Sequence, residues 1–355
     1  NPHTANVTLA CVVTDNPNTY SSGGIKINEV QTLTGQDNAK PIPVTEMTGN
    51  SIAYLISTSG TTGRPKTIAI SHDNLTATFR SWRDVYQLTA QDRHLQMANV
   101  SFDVFTGDWV RALCSGGTLV LCPKECLLHP QSLFSLIARN EITIAEFVPA
   151  VLRKLMHYVE EKQKMLSTFR VLICGSDVWY MDEYKKLMQL CGPKTRIINS
   201  YGLSETTIDA TYYEWSEKNQ THLKDNAIVP IGQAFPHATI KIVTPEGKKA
   251  ASSEQGEIYI GGQGVSQQGY LNNPELTREK FIRSDEDNSL FYKTGDVAEV
   301  LENGDILFLG RNETQFNING QRVDFLSVES VLLQHPKIKT AVVTPHESGR
   351  HHHLE

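Results

Sequence analysis

The sequence lacks the features that mark several common classes of protein. No apolar run approaches the roughly 18 residues of a membrane-spanning helix, and the opening NPHTANVTLA has no basic stretch typical of a signal peptide. The net charge of −6 and the pI near 6.1 come without a basic stripe. We therefore expect a soluble globular protein that binds neither a membrane nor nucleic acid.

Cysteine is sparse as well. The six cysteines among 355 residues show no CxxC spacing, so we interpret them as reduced core residues, which favours a cytoplasmic location. His351 to His353 stand near the end of the chain, and they are either the remnant of a tag or part of a native strand. A chain of this length holds either one large domain or a few smaller ones.

The order of apolar segments predicts an α/β protein. Strands alternate with amphipathic helices as far as residue 200, which is typical of a layered core around a mostly parallel sheet. Beyond residue 226 short strands and Gly/Asn turns predict an antiparallel β subdomain. The expected helices are 73–86, 131–139, 150–166 and 178–191, and the expected strands include 7–13, 142–148, 169–174 and 195–199, with a loop at 15–48.

The stretch IAYLISTSGTTGRPK, residues 52–66, is the strongest candidate for a functional loop. An apolar strand leads into small hydroxylated residues and glycines: Thr58, Ser59, Gly60, Thr61, Thr62 and Gly63. Backbone amides and hydroxyls in such a loop turn readily toward an anion, and Lys66 adds a positive charge for phosphate. The loop is not a Walker A motif, because Lys66 follows Pro65 rather than glycine. An ordinary Ser/Thr/Gly surface turn is the competing interpretation.

Two further segments carry groups suited to a nucleotide. In NSYGLSETT, residues 199–207, Tyr201 offers a flat face for a base, Ser204 a phosphate donor and Glu205 a ligand for Mg²⁺. This segment follows a strand, and ligands of open α/β sheets collect at the carboxyl ends of strands. In YKTGD, Asp296 can accept both hydroxyls of a ribose. Taken singly, a solvated glutamate and a turn aspartate would also explain these segments.

Together these motifs resemble those of the adenylate-forming superfamily of acyl-CoA synthetases, luciferases and peptide-synthetase adenylation domains. The family patterns (Y/S)TSG(S/T)TGxPKG, NxYGPTE, Y(R/K)TGD and GRxDxQ are similar to residues 57–66, 199–205, 292–296 and 310–315. GEIYIGGQGVSQQGYLNNPELTREKF, residues 256–281, is a longer match to a fifth motif. Thr67, Leu203, Ser204 and Asn317 depart from the usual family residues. The likeness covers residues 51 to about 345 and is strongest for non-ribosomal peptide synthetase adenylation domains.

The resemblance implies a domain organisation. An N-terminal core would occupy residues 1–310, with the β subdomain at about 226–310, and residues 311–355 would begin a mobile C-terminal subdomain that turns about Glu313. A front portion and the family's catalytic lysine would both lie outside the 355 residues.

The resemblance also implies ATP and Mg²⁺ as cofactors. Lys66, Glu205 and Arg311 would be catalytic, and Glu205 would hold the metal. The implied nucleotide-binding residues are Thr58, Ser59, Gly60, Thr61, Thr62, Gly63, Lys66, Asn199, Tyr201, Gly202, Ser204, Asp296 and Arg311.

The pocket for the second substrate follows from the same resemblance. Phe102-Asp103 is similar to the family's FDxS, whose aspartate pairs with the α-ammonium of an amino acid. The other implied pocket residues are Val104, Gly107, Glu146, Leu172, Cys174, Gly175, Ser200, Ile208 and Asp209. Because uncompensated buried carboxylates are costly, Glu146 and Asp209 predict a cationic guest. The pattern is similar to that of ornithine-activating domains, so we expect ornithine first, then lysine or arginine, unless Glu146 points to solvent.

The resulting hypothesis is ATP-dependent adenylation of an amino acid and its transfer to the phosphopantetheine thiol of a peptidyl carrier protein. An acyl- or aryl-CoA ligase is one alternative, which Asp103 opposes because such substrates have no ammonium group. A non-catalytic nucleotide-binding module is the other, and the missing lysine favours it.

Overall fold

The computed structural model describes residues 47–58, 66–215 and 223–311, the backbone of 315–318, 321–324, 345–348 and 351–354, and a few single positions after 328. The predicted strand at 7–13 lies outside the described residues, and so do residues 15–46 of the loop predicted at 15–48.

A two-stranded hairpin precedes the main sheet. β1 (Ile52–Thr58) and β2 (Lys66–Ser71) run antiparallel, and Thr58 is opposite Lys66 in the register. The predicted phosphate loop therefore joins two paired strands. Tyr54, Ile56, Ile68 and Ile70 pack in a cluster with Val265 and Tyr270, so the hairpin rests on the later part of the chain.

Seven helices surround the sheets within the described ranges. They are α1 (His72–Tyr86), α2 (Asp103–Cys114), α3 (Lys124–Leu128), α4 (Pro130–Arg139), α5 (Pro149–Glu161), α6 (Met181–Leu190) and α7 (Pro274–Lys280). α1 has 15 residues, and none of the described helices has the length and apolar character needed to cross a bilayer. The helices predicted at 73–86 and 131–139 are confirmed within one residue at each end.

The main sheet has seven strands and separates two apolar cores. The strands are β3 (Arg93–Gln96), β4 (Thr118–Leu121), β5 (Ile144–Phe147), β6 (Val171–Gly175), β7 (Arg196–Tyr201), β8 (Thr211–Glu214) and β9 (Gln233–Ala234). Their order is β4-β3-β5-β6-β7-β8-β9. The first five are parallel, and β8 and β9 are antiparallel to their neighbours. One core contains residues of α4, α5 and α6, and the other contains residues of α1 and α2.

The second large sheet is antiparallel, as the change of pattern beyond residue 226 predicts. Its strands are β10 (Ala238–Val243), β11 (Gln255–Gly262), β12 (Phe281–Arg283), β13 (Leu290–Val300) and β14 (Ile306–Arg311). Their order is β10-β11-β13-β12, with β14 also paired to β13. The α/β fold class is thereby confirmed, while the domain boundary at residue 310 stays a prediction.

Two short hairpins follow this sheet. β15 (Gln315–Ile318) pairs with β16 (Gln321–Asp324), and β17 (Pro345–Ser348) pairs with β18 (His351–Leu354). The histidine run, His351 to His353, therefore lies in β18.

Candidate active site

A buried aspartate, a tyrosine and an arginine meet between the two large sheets. The Tyr201 hydroxyl donates to Asp296 Oδ2 at 2.6 Å, and Arg311 Nε donates to Asp296 Oδ1 at 2.8 Å. Tyr201 ends β7, whereas Asp296 and Arg311 are opposite each other on β13 and β14. Burial raises the pKa of Tyr201 well above its usual value, and Asp296 adds to the rise, so the phenol stays protonated. The structure brings these three predicted nucleotide-binding residues together.

Glu205 is a buried carboxylate beside this group. It lies in a 3₁₀ turn, Ser204–Thr206, and accepts a hydrogen bond from the Tyr270 hydroxyl at 2.6 Å. The hydroxyls of Tyr270 and Tyr292 are 3.0 Å apart. Burial raises the pKa of both tyrosines, and Glu205 adds to the rise. They therefore stay neutral donors that hold the carboxylate in place.

A magnesium ion fits Glu205 in one specific way. Within the described ranges, no group of three or more His, Cys, Asp or Glu could hold a metal by itself. Mg²⁺ in nucleotide sites commonly uses one or two carboxylates together with water and substrate phosphates. Glu205 keeps acceptor capacity beyond its bond with Tyr270, because a carboxylate has about four lone-pair sites. It can therefore supply the protein ligand for a phosphate-bound cation.

The turn that carries Glu205 depends on Gly202. A Cβ at Gly202 would lie 1.9 Å from the carbonyl oxygen of Ile208, so only glycine allows this close approach of the backbone. Thr207 and Ile208 adopt left-handed φ values of 63° and 73°. Thr207 holds the turn by donating from its hydroxyl to the carbonyl of Gly264 at 2.6 Å.

Lys66 is the described end of the predicted phosphate loop. Its ammonium group lies 5.8 Å from the centre of the Tyr270 ring, and Tyr270 is the residue that contacts Glu205. Lys66 is therefore near the candidate metal ligand. The other loop residues, Ser59, Gly60, Thr61, Thr62 and Gly63, lie outside the described residues, as does the side chain of Thr58. The hinge prediction for Glu313 falls outside them as well.

Asp103 connects the predicted amino-acid pocket to the nucleotide segment. The Ser204 hydroxyl donates to Asp103 Oδ2 at 2.6 Å, although the two residues are 101 positions apart. Asp103 is the first residue of α2. Burial raises its pKa, while the hydrogen bond from Ser204 opposes the rise. The structure thus places the predicted α-ammonium ligand in contact with Ser204, the residue that precedes Glu205.

Arg111 lies among the acidic residues of the pocket. Its Nη2 donates to Asp108 Oδ1 at 2.9 Å and also to Glu146 Oε2, and its Nη1 is 3.5 Å from Asp209 Oδ2. The arginine side chain is 1% exposed, and its guanidinium stacks on the Trp82 ring at 4.8 Å from the centroid. Trp82 Nε1 donates to Asp209 Oδ2 at 2.8 Å. Glu146 therefore points into the protein interior and not to solvent.

Several other predicted pocket residues surround this cluster. A Cβ on Gly107 would lie 3.4 Å from the Trp82 ring, 3.5 Å from Arg111 Nη2 and 3.5 Å from Ile208 Cδ1. Ser200 lies close enough to Asp209 to lower the pKa of its carboxyl, against the larger effect of burial. A Cβ on Gly175 would lie 2.6 Å from Ser200 Oγ.

Not every predicted residue faces this cluster. Leu172 and Cys174 pack in the core that contains Phe147 and Trp179, whereas Ile173 between them faces the core that contains Trp82. Phe102, before α2, is 64% exposed, and Val104 packs at the edge of the Trp82 core.

Asn199 also lies away from the nucleotide residues. Its Oδ1 accepts from Trp179 Nε1 at 2.9 Å, and its Nδ2 donates to the carbonyl of Pro230 at 2.8 Å. These bonds attach the end of β7 to the segment before β9.

Sequence reasoning missed three residues of the pocket: Trp82, Asp108 and Arg111. The signal was present in α2, because residues four apart on a helix share a face. Asp103, Gly107 and Arg111 follow that spacing, and Asp108 and Arg111 are three apart. A charged pair on the same face as Asp103 indicates that the predicted pocket carries its own cation.

Comparison with known proteins agrees with this geometry. Residues 3–271 match the family model described as AMP-binding enzyme. The chain is 42% identical over 299 residues to tyrocidine synthase 3 of Brevibacillus parabrevis, which covers 84% of this chain and 4% of that protein. It is 40% identical over 298 residues to gramicidin S synthase 2 of Brevibacillus brevis, covering 83% of this chain and 7% of that protein. This chain therefore spans a small part of the length of these relatives.

A solved structure shows the same fold. The Vibrio cholerae adenylation domain AlmE, in complex with glycyl-adenosine-5'-phosphate, superposes with a TM-score of 0.66 at 28% sequence identity. The match covers 85% of this chain and 56% of that one. The family model matches most of the chain, residues 3–271 of 355. The chain therefore belongs to the AMP-binding enzyme family.

Proposed function

We propose that this chain is the adenylation domain of a peptide synthetase and converts an amino acid and ATP to aminoacyl-AMP and pyrophosphate. The hydrogen bond between Ser204 and Asp103 carries the proposal. It sets a carboxylate suited to an α-ammonium against the turn that carries Glu205. That turn follows Tyr201, which donates to the carboxylate of Asp296. An amino acid and a nucleotide bound at these two points would have their reacting groups side by side.

In the proposed reaction, the substrate carboxylate attacks the α-phosphorus of ATP in line, and pyrophosphate leaves. The protein would act mainly through positioning and charge. Asp296 would accept the ribose hydroxyls, and Tyr201 would pack against the base. Lys66 and the loop from Thr58 to Gly63 would bind the leaving phosphates, and Arg311 would contact the nucleotide.

Glu205 would hold Mg²⁺ in this site. The ion would supply positive charge to the phosphate oxygens. The protein's part is to keep the Glu205 carboxylate oriented, and the hydroxyl of Tyr270 does this in the structure at 2.6 Å.

We further propose a basic amino acid as the substrate, ornithine first and then lysine or arginine. The support is an excess of buried carboxylates. Asp108, Glu146 and Asp209 are all buried, and the ion pairs described for them all go to one arginine. One guanidinium offsets one unit of charge, so a second cation would be favourable there. The ammonium group of a basic side chain provides it.

The acyl group would then pass to the phosphopantetheine thiol of a peptidyl carrier protein after rotation at Glu313. We also propose a cytoplasmic location. The five cysteines in the described part of the chain are free thiols, as expected for a reducing compartment.

Amino-acid-dependent exchange of labelled pyrophosphate into ATP tests the reaction. The protein assayed is the chain together with a complete C-terminal subdomain, and the panel holds ornithine, lysine, arginine, leucine, phenylalanine and a fatty acid. We expect exchange with ornithine or another basic amino acid, and its loss in Glu146→Ala.

Each other result has a definite meaning. Exchange only with a neutral amino acid would support the proposed adenylation and contradict the proposal of a basic substrate. CoA-dependent turnover of the fatty acid would indicate a CoA ligase. No exchange with the whole panel would contradict the adenylation of these substrates and favour a non-catalytic module.

A further inference from the structure

Arg111 lies at the far end of the helix face that begins with the proposed substrate ligand. It follows Asp103 by eight residues of α2, which corresponds to about 12 Å along the axis. Gly107 is between them and contributes no side chain to that space. A Cβ placed on Gly107 would lie 3.5 Å from Arg111 Nη2, so the guanidinium lies directly against the predicted pocket position Gly107.

Arg111 cannot neutralise its surroundings alone. It is a single positive charge in contact with three buried carboxylates, those of Asp108, Glu146 and Asp209. Asp108 Oδ2 is buried and has no hydrogen-bond partner. Burial raises the pKa of Asp108 and Asp209 to about 7, and Glu146 adds to the rise for both, while Arg111 opposes it. These observations describe a pocket with an excess of negative charge.

Resting on the proposed adenylation of an amino acid, we propose that Arg111 is the resident cation that determines how much positive charge the side-chain pocket accepts. With all three carboxylates ionised, Arg111 leaves a net charge of about −2. The pocket then favours one cationic side chain. Arg111 acts through Glu146 and Asp209, so it is a positioning residue that determines specificity and does not take part in the chemistry.

The substitutions available in this cluster form a series of charges. Arg111→Met removes the positive charge of this cluster, and Glu146→Gln removes one of its negative charges. The double variant Arg111→Met/Asp108→Asn removes one charge of each sign, so the net charge is that of the wild type. Arg153→Met is the control, because Arg153 pairs with Glu183 at a half-exposed position away from the pocket.

The test compares ornithine with norvaline, which has the same carbon chain without the side-chain amine. Binding of each is measured by calorimetry at pH 8, where the carboxylates are ionised, and the readout is the ratio of the two Kd values. Arg111→Met should increase the preference for ornithine at least about tenfold, and Glu146→Gln should decrease it by a similar factor. The double variant and Arg153→Met should keep the wild-type preference within about threefold.

A purely structural role for Arg111 would weaken both ligands equally, and that unchanged ratio would overturn the proposal. A tenfold change of the ratio in the double variant, or no binding of either ligand by folded protein, would also overturn it. If Arg111→Met does not fold, as its thermal melting would show, the double variant and Glu146→Gln still decide the question. Pyrophosphate exchange is measured separately. A failure of the proposed adenylation can therefore be distinguished from a failure of the proposed role of Arg111.

Discussion

We expect Asp108 and Asp209 to change their protonation within the pH range of ordinary assays. Burial raises the pKa of both to about 7, compared with about 3.9 in an unfolded chain. As the pH falls from 8 to 6, these groups take up protons and the pocket loses negative charge. We expect the Kd of ornithine to increase about tenfold over this interval and that of norvaline to change less than about twofold. Calorimetric titrations at several pH values would measure both, and equal changes would contradict the prediction.

Asp108 and Asp209 also affect folding stability, but in the opposite direction. We expect a lower pH to weaken ornithine binding but to stabilise the folded protein. Between about pH 4 and pH 7 the folded protein binds more protons at these positions than the unfolded chain does, so their contribution to the free energy of unfolding decreases as the pH rises. Asp209→Asn removes part of this dependence. Urea denaturation of the two proteins at pH 5.5 and pH 8 would therefore show a smaller pH effect in the variant.

From the sequence, residues could be expected to meet only where each lies in a recognisable motif. Tyr201 and Asp296 are 95 positions apart, yet each lies in a recognisable segment, and the structure joins them. Arg111 lies in no such segment. Its partners Glu146 and Asp209 are 35 and 98 positions away, so their pairing depends on the arrangement of α2, β5 and the turn after β7. Local pattern carries no information about that arrangement.

The start of α1 shows how one element is attached to the rest of the protein. Ser71 caps the helix, and Asn74 Oδ1 accepts from the Ser71 backbone amide at 3.1 Å. Asn74 Nδ2 also donates to the carbonyls of Gln263 and Val265, at 2.7 and 3.0 Å. Asn74 therefore joins the helix to the chain after β11.

These contacts predict unequal effects of two substitutions at the start of α1. Ser71→Ala loses a cap, at about 1 kcal/mol of unfolding free energy. Asn74→Ala loses the reciprocal cap and leaves buried carbonyls unpaired, at about 2–3 kcal/mol. Urea denaturation measures both. Ser135→Ala, an exposed position on α4, should change stability by less than about 0.5 kcal/mol. Equal losses at Ser71 and Asn74 would show that the link to residues 263–265 contributes nothing.

The end of α5 depends on tertiary contacts. The apolar pattern predicts a helix over 150–166, but α5 ends at Glu161. Gln163 takes a left-handed φ of 50°, and Lys164 donates to the carbonyl of Val159. This turn allows Leu166 to bond to the backbone of Leu190 at 2.8 Å and to be buried. The burial of Leu166 against the end of α6 is not visible in a local pattern.

At the scale of the molecule, the proposed nucleotide site is shared by two sheets. Tyr201 belongs to the seven-stranded sheet, and Asp296 and Arg311 belong to the antiparallel one. A ligand that contacts all three should stabilise both sheets, by about 2.7 kcal/mol at a concentration 100 times its Kd. We expect Mg·ATP to slow amide hydrogen exchange at the end of β7 and in β13–β14 together, with no change in α4. Protection of only one sheet would contradict a shared site, and Asp296→Asn should lose both effects.

The overall architecture was more predictable than the positions of its parts. Alternating strands and helices followed by short strands gave the fold class, because periodicity reports which face of each element is buried. The strand order is a different matter. β3 lies between β4 and β5, and this order places β5, β6 and β7 side by side, with Glu146 on β5 and Tyr201 at the end of β7. No single segment encodes that order.

The central position of Arg111 also constrains how such a pocket can acquire a new substrate in evolution. A single substitution of Arg111 leaves three buried carboxylates without their counter-charge, at a cost of about 3–5 kcal/mol. That is a large share of the 5–15 kcal/mol, roughly, that keeps a domain folded. Stepwise change would therefore pass through unstable intermediates. Recombination that exchanges the whole stretch from α2 to the turn after β7 avoids them, so we expect the four residues to be inherited as one unit.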